Sequence, residues 1–203
     1  MLSVLALRVK NGSRQFVKKM STAAPITPLT YSTGVQAMHW VMGGSMLASV
    51  GLVLLAQNTK DKKEKGQYMF YHKSFGAFAC ALLVPRLAIR LTSKLPGPIE
   101  GTGQIENMLA SAGHLAMYGF AIFLPVSGVA MGYFGGAGVP FFFTTIPAGP
   151  KNGDVAKQAY KYHKLVGKAF EYFIPLHVGG ALLHMARGQV VFARIVPGLK
   201  ASK

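Results

Sequence analysis

Acid is the scarcest chemistry in this chain. Six Asp and Glu face 22 Lys and Arg in 203 residues, and the first acid is Asp61. No carboxylate cluster and no HExxH motif is present, so a zinc-type catalytic ion lacks its usual ligands. Cysteine is nearly absent as well. A lone Cys80 excludes an internal disulfide, a CxxCH attachment and a cysteine-built zinc site, and its apolar surroundings fit a small core residue. Charged residues make up 14% against 51% hydrophobic, too little charge to solvate a globular surface. No nucleic-acid motif accompanies the net charge of +16, and lipid phosphate such as cardiolipin is the more natural acidic partner.

What the chain has instead is long apolar runs. A bilayer core of about 30 Å needs roughly 20 mostly apolar helical residues, and residues 34–57, 68–91, 107–134 and 162–187 meet that requirement. A soluble bundle of this length would show a charged face at every turn, and these segments do not. The fourth is the most polar. The sequence therefore predicts an all-α membrane protein, a bundle of four transmembrane helices. Residues 58–67 read as a lysine-rich turn, 92–106 as a Pro/Gly loop, and 135–161 as a long connection forming an ordered cap over the membrane surface.

Residues 1–30 carry Arg8, Lys10, Arg14, Lys18 and Lys19 among Ser, Thr and Ala without an acid. This composition matches a mitochondrial presequence and an inner-membrane location. A basic tail on a bacterial inner-membrane protein is the other reading. The predicted organisation is a basic extension over 1–30, a membrane domain over 31–197 and a tail over 198–203. Lys and Arg divide almost evenly between the two membrane sides, so charge does not set the orientation.

Histidine placement points to function. Let side A be the surface where the first apolar segment begins and side B the opposite one. His39 lies near side A, His72 opens the second segment at side B, and His163 opens the fourth at side B. His177 is 14 residues further on, about 21 Å deeper at 1.5 Å per residue, back near side A. His39 then pairs with His177, and His72 with His163. Intramembrane ionisable residues are functional by default. Two depth-matched imidazole pairs suit two haems b, whose irons each take two axial ligands and relay electrons. His39, His72 and His163 are each followed four residues later by Gly43, Gly76 and Gly167, leaving room for a porphyrin edge on the same face. His184 also has such a glycine, Gly188, so the offset alone does not single out ligands. His114 has Tyr118 there instead and reads as a packing or propionate partner, though it competes for the side-A iron.

Together these residues resemble the bacterial-type cytochrome b561 family of four-helix dihaem cytochromes over roughly residues 31–197. The carriers are Met38-His39-Trp40, His72 with the later Arg86 and Arg90, Gly113-His114-Leu115, Leu124-Pro125-Val126-x-Gly128, Tyr162-His163, Leu176-His177 and His184. The resemblance implies that His39, His72, His163 and His177 are the haem ligands. It also implies an activity in which superoxide is oxidised and electrons reach ubiquinone, with His184 beside the quinone near side A. For His184, a helix-end side chain snorkelling to the interface is the competing reading. Arg86 and Arg90 are either partners of haem propionates or surface anchors. Lys73 and Lys164, with Lys62, Lys63 and Lys65 nearby, either steer a small anion, neutralise propionates or bind lipid.

Glu171, two turns inside the fourth segment, needs a partner, and Lys168 is the obvious one; a proton relay is the alternative. Pro175 is expected to kink the same helix. Two function classes remain: a haem-dependent quinone oxidoreductase, or a haem-containing accessory subunit of a larger mitochondrial respiratory complex. The cap and the extended N-terminus favour the second; the intact histidines favour the first.

Overall fold

A computed structural model describes residues 29–199. All but the last two residues of the presequence-like segment, and most of the short C-terminal tail, lie outside the described residues. Four long helices dominate: α1 (Thr33–Asn58), α2 (Lys62–Thr92), α3 (Gln104–Gly135) and α4 (Gly153–Ala186). A two-stranded antiparallel hairpin, β1 (Val139–Phe141) and β2 (Thr144–Ile146), joins α3 to α4, and a short α5 (Val191–Ile195) follows.

The helices start where polar side chains satisfy their first free N–H groups. Ser32 accepts from Val35, Asp61 from Glu64 and Asn152 from Val155, while Glu106 returns to the Gly103 amide. Asp61 moves the second boundary. α2 begins at Lys62, so most of the expected lysine-rich turn is its first helical turns. α4 likewise begins at Gly153, nine residues before its apolar segment. Both extensions are too polar to register as apolar runs but keep good caps.

Polar contacts at the helix ends fix an up-down-up-down order. At side A, Ser32 Oγ lies 3.0 Å from Ser93 Oγ, joining the start of α1 to the end of α2. An Arg187–Glu106 ion pair joins the end of α4 to the start of α3. Still at side A, α5 folds under the bundle: Gln36 Nε2 donates to the Arg194 carbonyl at 3.0 Å, Trp40 Nε1 to Ile195 at 2.9 Å, and Arg194 Nη1 to Gly97 at 2.6 Å. α1 packs on α2 and α3 on α4, with α2 and α3 joining the pairs.

α1, α2 and α3 are long and apolar enough to cross a membrane. α4 has the length, but Lys168, Glu171 and its histidines make it more polar. Lys168 Nζ meets Glu171 Oε2 at 2.7 Å, as the sequence predicts, and α4 runs on through Pro175. Few side chains are buried; Met42, Leu83 and Ala121 centre a small core. Exposed Leu47, Val84, Leu115 and Leu176 show that all four helices turn large apolar side chains outward.

The expected cap is a β-hairpin, which an all-α reading does not anticipate. It packs against α2 and α3. Phe142 takes a left-handed backbone (φ 50°), donates its amide to Ser74 Oγ at 3.0 Å and stacks edge-on against Phe75, 5.2 Å between ring centres. Ser74 is fully buried beneath it. The hairpin is pinned beside His72, two residues before Ser74.

Candidate functional site

The bundle brings the four predicted histidines together in the expected pairs. At side B the rings of His72 (α2) and His163 (α4) lie 6.2 Å apart, centre to centre; at side A those of His39 (α1) and His177 (α4) lie 6.4 Å apart. The spacing tests the fit to iron. Metal–imidazole bonds of about 2.0–2.1 Å on opposite sides, plus about 1.1 Å from each nitrogen to its ring centre, add to about 6.3 Å. Both centre-to-centre spacings match that length. Among the described residues no group of three His, Cys, Asp or Glu gathers as a bare metal ion would require.

Hydrogen bonds set the side-B rings. His72 Nδ1 donates to the Ser49 carbonyl at 2.8 Å, with Ser49 Oγ at 2.9 Å, and the same hydroxyl donates to the His72 carbonyl at 3.1 Å. Ser127 Oγ donates to the Phe123 carbonyl at 2.7 Å, so its lone pair takes the Nδ1–H of His163 at 2.9 Å. Each ring thus keeps its proton on Nδ1 and its lone pair on Nε2, the arrangement that orients metal-binding imidazoles. Ser49 and Ser127 are invisible to a motif reading, because they meet their histidines only across helices.

The glycines four residues after the histidines differ in the space around them. A side chain built on Gly43 or Gly76 would touch nothing within 4 Å, whereas one on Gly167 would touch Leu124 at 3.9 Å. Gly128 lets α3 approach His163, since a Cβ there would sit 3.4 Å from the ring. Along α4, His163, Phe170, His177 and His184 recur every seven residues and so share one stripe. Phe170, 3% exposed and packed on Phe120 at 5.2 Å, occupies the position midway between the two candidate ligands of this helix. The seven-residue interval was the available signal, and attention to histidines alone passes over it.

Side A holds a third imidazole. His114 stands 6.0 Å from His177, as near as His39 does, so ring spacing does not choose between them. His114 is exposed, however, and Tyr118, at its glycine offset, serves the arginines. Arg90 Nε donates to the Tyr118 hydroxyl at 2.7 Å, and Arg86 Cζ lies 5.7 Å from the centre of that ring. Arg86 Nη1 donates to the Met38 carbonyl at 2.9 Å, beside His39. Arg86 Nε and Arg90 Nη1 are buried without an acceptor. Orphaned guanidinium donors next to the His39–His177 pair fit a carboxylate-bearing group such as a haem.

These arginines carry a prediction for the holoprotein. A positive charge beside a redox centre stabilises its reduced form, so Arg86→Leu and Arg90→Leu each lower the side-A midpoint potential. A unit charge about 10 Å away at an effective dielectric of about 20 contributes about 1.7 kcal/mol, or about 70 mV for one electron. Potentiometric titration checks it; an unmoved potential assigns the arginines to the membrane surface.

The remaining predicted residues lie at the two surfaces. Lys73 and Lys164 are exposed at side B and form no ion pair among the described residues. In the last turn of α4, His184 Nδ1 meets Gln189 Oε1 at 2.5 Å, while Gln189 N donates back to the His184 carbonyl at 3.0 Å. Gly188, at φ +74°, makes the turn that brings Gln189 back.

Comparison with known proteins agrees with this architecture. Residues 30–198 match the sequence pattern described as prokaryotic cytochrome b561. Over 114 residues the chain is 32% identical to a probable superoxide oxidase CybB of Yersinia pestis, covering 56% of this chain and 65% of that relative. The chain thus spans somewhat under two thirds of the relative it matches. On the match across nearly the whole bundle, the chain belongs to the prokaryotic cytochrome b561 family, and is a multi-pass membrane protein of haem b electron transfer.

Proposed function

We propose that the protein is a dihaem relay that carries electrons from side B to side A and delivers them to ubiquinone, with superoxide as a donor. The observation that carries this reading is the pair of iron-compatible histidine sites, one toward each membrane face, both using the same stripe of α4. In this reading α4 is the fourth membrane crossing. Its exposed Leu165, Leu176 and Leu183 support that, and so does the pairing of its one acid beyond the first turn, Glu171, with Lys168. His72 and His163 hold one haem b, His39 and His177 the other, with Arg86 and Arg90 on its propionates. Bound haem supplies reversible one-electron chemistry.

The protein's own groups handle charge and protons. Lys73 and Lys164 raise the local concentration of a small anion at side B. Two superoxide ions give up one electron each and leave as dioxygen. One ubiquinone takes both electrons and two protons to become ubiquinol at side A, where His184, held by Gln189, passes a proton. We place the protein in the mitochondrial inner membrane on its basic, acid-free N-terminal segment, with the bacterial inner membrane as the alternative.

The direct test follows superoxide-driven ubiquinol formation by the purified protein. Ubiquinol appearing at one molecule per two superoxide ions supports the relay; no turnover with both haems bound overturns it. A second reading, a haem-bearing subunit of a respiratory assembly, is favoured by Phe143, which stands 92% exposed at the hairpin tip. Co-migration with a respiratory complex on a native gel distinguishes the two.

A further inference from the structure

The side-B end of the seam between α3 and α4 carries a feature that neither histidine pair uses. An open groove of about 480 Å³ runs there, lined by Phe123 and Val126 of α3 and by Val155, Ala159 and Tyr162 of α4. Its floor reaches Ser127, the residue that orients His163. Almost no polar surface faces into it, so a hydrocarbon chain fills it more favourably than water.

The rim is charged. Lys157, Lys161, Lys164 and Lys168 follow one another at i, i+4, i+7 and i+11 and form one stripe along α4. Glu171 occupies Lys168, but the other three make no ion pair among the described residues. Lys161 Nζ lies 5.7 Å from the centre of the Tyr162 ring, placing its charge at the lip of the groove. Asp154, the acid among the lining residues, sits in the first turn of α4, where the helix dipole already favours a negative group. The lysines are left to an outside anion.

We propose that groove and stripe together form a binding site for an anionic phospholipid, with one acyl chain along Phe123, Val126 and Ala159 and the phosphate among Lys157, Lys161 and Lys164. A free anion would use the lysines but not the apolar groove, and a zwitterionic lipid would use the groove but gain little from the lysines. The site shares Lys164 with the proposed anion-steering surface, and an acyl chain in it bridges the α3–α4 seam beside Ser127, the partner of His163.

The test uses the full-length protein in detergent, titrated with phosphatidylglycerol or phosphatidylcholine of the same acyl chains and read by native mass spectrometry. Each basic side chain at an anionic surface contributes about fivefold, so three give a preference for phosphatidylglycerol on the order of a hundredfold. Lys157→Gln/Lys161→Gln/Lys164→Gln brings the two lipids to near parity, and Lys161→Gln alone removes about fivefold. Ala159→Trp, which fills the groove, weakens both lipids together. Equal binding of the two lipids by the unaltered protein overturns the proposal, as does a preference that survives the triple substitution. Unchanged binding in Ala159→Trp overturns the seat of the acyl chain.

Discussion

Alanine in place of His72 or His163 is expected to remove the side-B haem b and leave the side-A one, halving the pyridine-haemochrome yield from two to one per chain. Ser49 and Ser127 take the Nδ1 proton of each ring, so in the proposed site both rings would offer Nε2 to a haem, and removing either ring would take away one of the two residues that would hold it. Ser49→Ala keeps the Ser49 carbonyl on His72 but loses the hydroxyl that braces it, whereas Ser127→Ala leaves the Nδ1–H of His163 without its partner. Loss of such an outer partner weakens a metal site by about 10–100-fold, so the Ser127 variant is the weaker haem binder of the two. At side A, His177→Ala removes the other haem whichever residue faces it. His39→Ala and His114→Ala then separate the two candidates: His39→Ala loses that haem and His114→Ala retains it. A full complement of two haems in His72→Ala would remove the side-B pairing outright. Loss of the side-A haem in His114→Ala but not in His39→Ala would move the second ligand from α1 to α3.

How much of this was legible in the sequence follows the range over which each signal acts. Apolar segments mark all four long helices, three of them apolar enough to cross a membrane, and the position of each histidine along its helix follows from counting at a fixed rise per residue. The pairing of rings needed only that arithmetic. The early starts of α2 and α4 escape the same method: Asp61 and Asn152 cap polar turns, and polarity is what an apolar scan discards. The hairpin escapes because its strands are three residues long and depend on tertiary contacts, with Phe142 seated on Ser74 and Phe75. Ser49 and Ser127 are ordinary helix serines until the neighbouring helix brings a ring against them. Arg86 and Arg90 were readable as cations near side A, but only burial shows that each keeps a donor without an acceptor.

His184→Ala is expected to slow ubiquinone reduction by about 10²- to 10⁴-fold, the range for losing a positioned proton donor, while both haems stay bound. The separation of these effects comes from spacing along α4. His184 is seven residues beyond His177, about 10.5 Å along the axis on the same stripe, close enough to share a face with the His39–His177 pair yet two turns removed from it. Gln189 orients the ring. Its Oε1 accepts from Nδ1, which leaves Nε2 as the nitrogen that would meet a quinone oxygen in the proposed site. Gln189→Leu keeps the imidazole but releases its orientation, and is expected to give a smaller loss, confined to kcat, with KM for the quinone little changed. Reducing the haems with dithionite and following their reoxidation by a ubiquinone analogue isolates this step from the donor reaction at side B. Unchanged reoxidation in His184→Ala would leave the ring as an interfacial side chain and send the proton by another route. Loss of the side-A haem in the same variant would make His184 part of the haem site, with the quinone elsewhere. Slow reoxidation with both haems intact leaves proton delivery to the quinone as the step that His184 performs.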